Sequence, residues 1–324
     1  MSDYKIGTLG ASEALIKDLY IDLRNKVNKW SEITKQTPQA RMGYVGQHLV
    51  SVVTGFPGGK SGARGYDLVM NDGTYGEIKT CYRVDQLGSC NKCGTVVSSL
   101  EIECSACGSI DINRKADSKW LISLRNDKEF EEVIEPAKYY FVLFEFEDLV
   151  DATNHNIVAS IWEVNSKEKG FAFCMIDYYL NIRAKSKSKA PFNMWPHEFK
   201  FSLTKPTLIY RSIIKSDGTI NTIIFPSLNH SEKETLRPLA EYSRTTTITN
   251  ISVKNVIHRF STEENLKYVS KLNCLKILEK IRTEKKIAND DLCDAFAEEI
   301  YLPLILPHKN RIPESIKKHY KELQ

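Results

Sequence analysis

"YDLVMNDGTYGEIK", residues 66–79, decides how the chain is read: it places Asp67 before a turn and Glu77 and Lys79 after it. Strand-forming residues (Tyr66, Leu68, Val69, Ile78) flank Asn71-Asp72-Gly73, the pattern of a tight β-hairpin. Side chains alternate along a strand, so Glu77 and Lys79 share one face while Ile78 points to the other, into the core. The face that Asp67 joins depends on the loop. A three-residue loop, Asn71 to Gly73 with the glycine left-handed, sets Asp67 directly opposite Glu77. A two-residue Asp-Gly loop pairs Asp67 with Ile78 and sends the aspartate to the other side.

Facing carboxylates, with Cβ atoms about 4.5–5.5 Å apart, repel each other, so a cation is expected with them. Hard divalent ions such as Mg²⁺ are held by one or two carboxylates together with water and phosphate oxygens. A lysine on the same face would orient or deprotonate water and stabilise charge developing on phosphorus. The three side chains therefore read as a phosphodiester hydrolysis site. The competing reading is a pair of solvated acids on a surface hairpin. Three features of the context argue against it: the apolar content of both strands, the glycine-rich lead-in "FPGGKSGARG" (56–65), and the helix expected before that.

That helix is "ARMGYVGQHLVSVVTG" (40–55), with Met42, Val45, Leu49, Val52 and Val53 on one face and Gly55 as its C-cap. Residues 1–36 read as a helical lead-in whose apolar positions include Leu15, Leu19, Ile21, Leu23, Val27 and Trp30. After the hairpin, strands are expected near 119–124, 138–146 and 157–163, with a short helix over 127–134. Helix, three strands, helix and two strands make an α/β sheet with helices against it. "PTLIYRSIIKSDGTINTIIF" (206–225) is a second hairpin turning at Ser216-Asp217-Gly218. From about 236 the pattern is mainly helical. Ser261 and Glu264 suggest a capping box, Leu275, Leu278 and Ile281 mark the next helix, and another starts near Asn289-Asp290 before Pro303 and Pro307 break the pattern. The chain is accordingly divided into a helical segment (1–36), a sheet domain (37–235) and a helical domain (236–324), the last open to a helix-turn-helix reading.

"CNKCGTVVSSLEIECSACG" (90–108) interrupts the sheet pattern as an insertion over 86–112. Cys90, Cys93, Cys104 and Cys107 form two Cys-x2-Cys pairs, each followed by glycine, which is the ligand set of a tetrahedral structural Zn²⁺ site. Binding supplies folding energy that so short a module cannot find in a core. Four thiolates leave no open position for catalysis. The module could brace the sheet edge or touch DNA, and both readings stay open.

The 324 residues carry a net charge of +4, with 42% hydrophobic and 27% charged residues, as in an ordinary globular protein. No run of about 18 apolar residues and no signal-peptide pattern is present, so no membrane partner and a cytoplasmic location are expected. The basic balance is mild, and its distribution matters more. Arg183, Lys185, Lys187 and Lys189 precede Phe192, Trp195 and His197 in a tract that could follow a phosphate backbone, and Lys60 and Arg64 lie just before the proposed site.

The order of helix, "GYDL", turn, "EIK" and further strand resembles the PD-(D/E)XK nuclease superfamily, in particular its type II restriction endonucleases, over about residues 40–165. The resemblance implies a restriction-endonuclease-like α/β core with a mixed sheet, here with a four-cysteine zinc-ribbon insertion and a mainly helical C-terminal domain. It further implies Asp67 and Glu77 as Mg²⁺ ligands, Ile78 contributing its backbone carbonyl, and Lys79 as the catalytic lysine. Tyr66 stands where the proline of the motif would be. Gln47 and His48 stand where many members carry an acidic residue, which removes the usual ligand of a second metal. The implied activity is Mg²⁺-dependent, sequence-specific cleavage of double-stranded DNA by a homodimer. The other readings are a non-catalytic zinc-ribbon DNA-binding or transcription protein and a DNA repair or junction nuclease. Asn154-His155-Asn156 invites comparison with HNH nucleases, but it reads as an exposed turn without a matching preceding histidine.

Overall fold

The computed structural model describes residues 4–34, 41–59, 66–83, 87–97, 101–114, 119–148, 156–188, 190–228, 231–262 and 265–324. In chain order the elements are α1 (Leu9–Ile16), α2 (Leu23–Thr34), α3 (Met42–Thr54), β1 (Leu68–Val69), β2 (Tyr75–Tyr82), β3 (Gly88–Cys90), β4 (Val96–Val97), β5 (Ile112–Arg114), β6 (Trp120–Ile122), α4 (Asp127–Ile134), β7 (Lys138–Phe146) and β8 (Ile157–Asn165). There follow α5 (Lys169–Asp177), β9 (Phe192–Met194), α6 (Phe199–Ser202), β10 (Thr207–Ile214), β11 (Ile220–Ile224), α7 (Asn250–Phe260), α8 (Lys271–Glu284) and α9 (Asn289–Ile305). Internal contacts group them into two compact units: Met1–Trp120, Lys138–Glu163 and Thr207–Glu232 form the first, and Leu121–Ala137, Val164–Pro206 and Lys233–Gln324 the second.

The first unit is built on a sheet in the order β1-β2-β7-β8-β10-β11. It is mixed, as expected: β1 is antiparallel to β2, β2 parallel to β7, and β10 antiparallel to both β8 and β11. β7, "KYYFVLFEF", is buried from Tyr139 to Phe144, which suits a central strand covered on both faces. α3 lies on β2 at close range. A Cβ built on Gly46 would come within 2.0 Å of the Thr80 hydroxyl, so only glycine permits this approach. Met42, Val45, Leu49, Val50 and Val53 bury the inner face of α3, and Gly55 closes it with φ +75°.

Of the apolar positions expected to pack, Leu15 and Ile21 lie against the core of this unit, and Leu19 and Trp30 do not. Ile16 and Tyr20 are buried, whereas Leu19 is partly exposed and Trp30 is 63% exposed. A π-helical stretch, Lys17–Asp22, separates α1 from α2 and shifts the phase of the apolar stripe. The second hairpin turns as expected, with Gly218 at φ +84°.

In the second unit α5 is buried continuously from Gly170 to Ile176 and packs on α9. α4 spans the expected residues, capped by the Asn126 side chain accepting from the Glu129 amide. The expected capping box at Ser261 is corrected: Ser261 is the C-cap of α7, and the capping box is at Thr249 and Ser252, where each side chain satisfies the other's backbone amide. Pro303 does not end α9 but sits in its last turn. Phe192 is buried against Tyr178 and is not available to contact bases. Among the described residues no helix is long and apolar enough to cross a membrane.

Candidate active site and cysteine cluster

The hairpin has the three-residue loop. Leu68 pairs with Gly76 and Val69 with Tyr75, Met70 and Gly73 close the turn through main-chain hydrogen bonds, and Gly73 is left-handed at φ +78°. Asp72 braces the loop by accepting from the Thr74 amide and hydroxyl. Extending this register by one residue sets Asp67 opposite Glu77.

Asp67 lies one residue outside the ladder, because β1 is only two residues long. One of its carboxylate oxygens, Oδ2, accepts from the Ile78 amide at 2.8 Å, taking the place of a strand-to-strand bond. The other, Oδ1, accepts from Gln47 Nε2 at 2.8 Å. The helix position at which an acidic residue was expected to be missing thus reaches the site with an amide donor. Burial raises the Asp67 carboxyl above its ordinary value, and the Ile78 amide, the Lys79 charge and the Gln47 amide pull it back down. Lys79 Nζ donates to Glu77 Oε1 at 2.5 Å, with both side chains about a quarter exposed.

Tyr139 was not anticipated. It pairs with Glu77 in the parallel β2–β7 register, and its hydroxyl is held protonated well above the ordinary range by burial and then by the charges of Glu77 and Asp67. One buried phenol thus feels both carboxylates. Nothing in the apolar run around it distinguishes this tyrosine from its neighbour Tyr140. Tyr66 stacks on Tyr75 with ring centroids 4.1 Å apart, covering the outer side of the hairpin. The Gly59 amide donates to the Asp67 carbonyl, so the start of the glycine-rich segment lies beside the aspartate.

The four cysteines converge. Their sulfurs all lie within 4.8 Å of one another, with Cys90 and Cys107 at 3.6 Å and Cys93 and Cys104 at 3.5 Å. A tetrahedron with Zn–S bonds of about 2.3 Å has edges of about 3.8 Å, so the cluster fits zinc. Both knuckles turn on glycines with positive φ, Gly94 and Gly108, whose amides bond back to Cys90 and Cys104. The Thr95 hydroxyl and amide hold the exposed Cys93 thiol down to about 6, which favours the thiolate that a metal requires. β3, β4 and β5 form a small sheet whose core, among the described residues, is Cys90, Val97 and Cys104, with Cys107 and Ile112 packed on it. A core of this size gains folding energy from a bound metal.

The basic tract is less uniform than its sequence suggests. Arg183 donates to the carbonyls of Ser186 and Arg125, and Lys185 to Asn181, while Lys187 is exposed. Lys60, Arg64 and Lys189 lie outside the described residues, as do Asn154, His155 and Glu264.

A family model described as MamI restriction endonuclease matches residues 29–240, a stretch that takes in α3, the hairpin, the cysteine module and the main sheet. No curated protein and no solved structure matches the chain. Because the match covers more than half of the sequence and includes the acidic hairpin, the protein belongs to the MamI restriction endonuclease family and is a nuclease, a hydrolase acting on DNA.

Proposed function

We propose that the chain is a type II restriction endonuclease of the PD-(D/E)XK kind, which cleaves both strands of a specific duplex sequence in a Mg²⁺-dependent reaction, with Asp67, Glu77 and Lys79 as its catalytic residues. The observation that carries the reading is the hairpin register, which puts Asp67 opposite Glu77 while Lys79 shares the glutamate's face. The donor set suits a hard ion: two carboxylates, with the Ile78 carbonyl between them and the lysine. Each Asp67 oxygen accepts one protein hydrogen bond and keeps lone-pair capacity for a cation.

Bound there, Mg²⁺ would polarise a phosphoryl oxygen and make water more acidic. Gln47 and the Ile78 amide fix the Asp67 carboxylate before any ligand arrives, which limits reorganisation. Lys79 donates to Glu77. With Glu77 holding a cation, the Lys79 ammonium would be available to the scissile phosphate, where it would stabilise negative charge or supply a proton. Gln47 adds no third carboxylate, which favours a single ion per site.

By family analogy the enzyme acts as a homodimer in the cytoplasm, one site per strand. Phosphate contacts are assigned to Lys60, Arg64, Arg183, Lys185, Lys187 and Lys189, and the functional division to residues 37–235 as nuclease, with 1–36 and 236–324 flanking it. The four-cysteine module is assigned a structural zinc. The reading is tested by incubating purified protein with long duplex DNA and Mg²⁺. Discrete fragments with 5′-phosphates are expected. Random degradation would indicate a repair or junction nuclease, and intact DNA a non-catalytic zinc-ribbon binder.

A further inference from the structure

The family match ends at residue 240, yet the helices beyond it present a surface with a distinct character. α7 is set firmly in its unit: Val253, Val256 and Ile257 are buried, and the Thr249–Ser252 capping box fixes its start. Its opposite stripe, Ile251, Lys254, Asn255 and His258, follows the i, i+3, i+4, i+7 spacing of a single helix face. Asn265, Leu266 and Lys267 complete a groove of about 410 Å³ beside that stripe. Lys254 Nζ reaches across the groove to the Lys267 carbonyl, and Lys267 Nζ sits 5.3 Å from the centre of the Tyr268 ring. Tyr268 is 89% exposed and Ile251 71% exposed.

Charge separates this groove from an ordinary solvated face. Among the described residues its lining holds two lysines, a histidine and two asparagines, and no carboxylate. The nearest acids on α9 are already paired: Glu299 accepts from Asn255 and Arg259, and Glu298 from Arg259 and Lys169. Two further acids in this part of the sequence, Glu263 and Glu264, lie outside the described residues. Cations beside amide groups and an exposed aromatic ring match a sugar–phosphate backbone, which offers anionic oxygens, hydroxyl and ether acceptors, and a sugar face for the ring.

We infer that the α7 face and the 265–268 segment form a second DNA contact surface, in which Lys254 and Lys267 neutralise phosphates of the duplex and Tyr268 packs against its backbone. The inference rests on DNA being the substrate, and it extends the footprint of the protein beyond the matched nuclease region.

The test measures duplex affinity of the full chain by fluorescence anisotropy, without divalent ions, across a salt series. The Lys254→Gln/Lys267→Gln variant is compared with wild type and with Lys128→Gln/Lys280→Gln, which removes the same charge from exposed positions elsewhere. Each neutralised phosphate contributes about 0.9 to the slope of log affinity against log salt, so the first variant loses about 1.8. The control keeps the wild-type affinity and slope. Unchanged affinity and slope in the first variant would overturn the surface alone, as would an equal loss in the control or a change confined to self-association. Wild-type protein that binds no duplex would overturn the nuclease reading as well.

Discussion

Gly46→Ala reports on the packing that positions the site. The added Cβ would meet the Thr80 Oγ1 at 2.0 Å, Cγ2 at 2.9 Å and Cβ at 3.0 Å, so no rotation of Thr80 clears it and α3 must move off β2. Overpacking of this kind costs about 1–3 kcal/mol. The 2.0 Å contact puts this case in the upper part of that range, about 2–3 kcal/mol, and replacing a helical glycine by alanine returns about 1 kcal/mol, leaving a net loss of about 1–2 kcal/mol. For a unit of this size that lowers the melting temperature by about 2–8 °C. The functional effect follows from the next residue. Gln47 holds Asp67 at 2.8 Å, and a displacement of the order of 1 Å in a supporting group can slow catalysis by up to about 100-fold. Thr80→Ala supplies the internal check, because the buried Thr80 hydroxyl has no hydrogen-bond partner among the described residues and its removal opens space facing Gly46. The double variant should recover at least half of the melting temperature and of the cleavage rate lost by Gly46→Ala. Calorimetry and cleavage assays on the four proteins decide the matter. Gly46→Ala melting and cutting like wild type would refute this account of how α3 seats the site.

Three further outcomes are expected. Gln47→Leu removes a donor that lowers the Asp67 pKa, so the acidic limb of the cleavage rate, already above the ordinary value of 3.8 because Asp67 is buried, shifts to higher pH and recovers with added Mg²⁺; an unmoved limb would detach Gln47 from the site. Gly73→Ala forces a side chain into left-handed backbone at a cost of about 1–2 kcal/mol, loosening the register that sets Asp67 opposite Glu77, and should raise the Mg²⁺ concentration needed for half-maximal cleavage. Elemental analysis should find one zinc per wild-type chain and none in Cys104→Ser, with amide-exchange protection lost across β3–β5 but kept in β7; protection of β3–β5 without zinc would show that the small core suffices.

Much of this arrangement is legible in the chain itself, for local reasons. Asn71-Asp72-Gly73 specifies its own loop, because Asp72 bonds to Thr74 and Gly73 takes positive φ, and the register of Asp67 follows. The cysteine pairs with their glycines, α4 with its Asn126 cap, and the unbroken apolar run of β7 are equally self-contained. What was hidden depends on partners distant in sequence. Gln47 meets Asp67 only because Gly46 lets α3 approach β2, and Tyr139 meets both carboxylates only through the parallel β2–β7 pairing. The π-helical stretch at Lys17–Asp22 shifts the phase of the N-terminal stripe so that Tyr20 is buried in place of Leu19, and burial of Phe192 takes an aromatic ring out of an otherwise basic tract.

Whether Asp67 and Glu77 act together on DNA is decided by single-turnover cleavage by Glu77→Ala, at protein concentrations that saturate the duplex in Mg²⁺. Duplex binding should be retained and the rate should fall at least about 100-fold below wild type. A variant that binds and cuts at the wild-type rate would place the chemistry of this enzyme elsewhere in the chain.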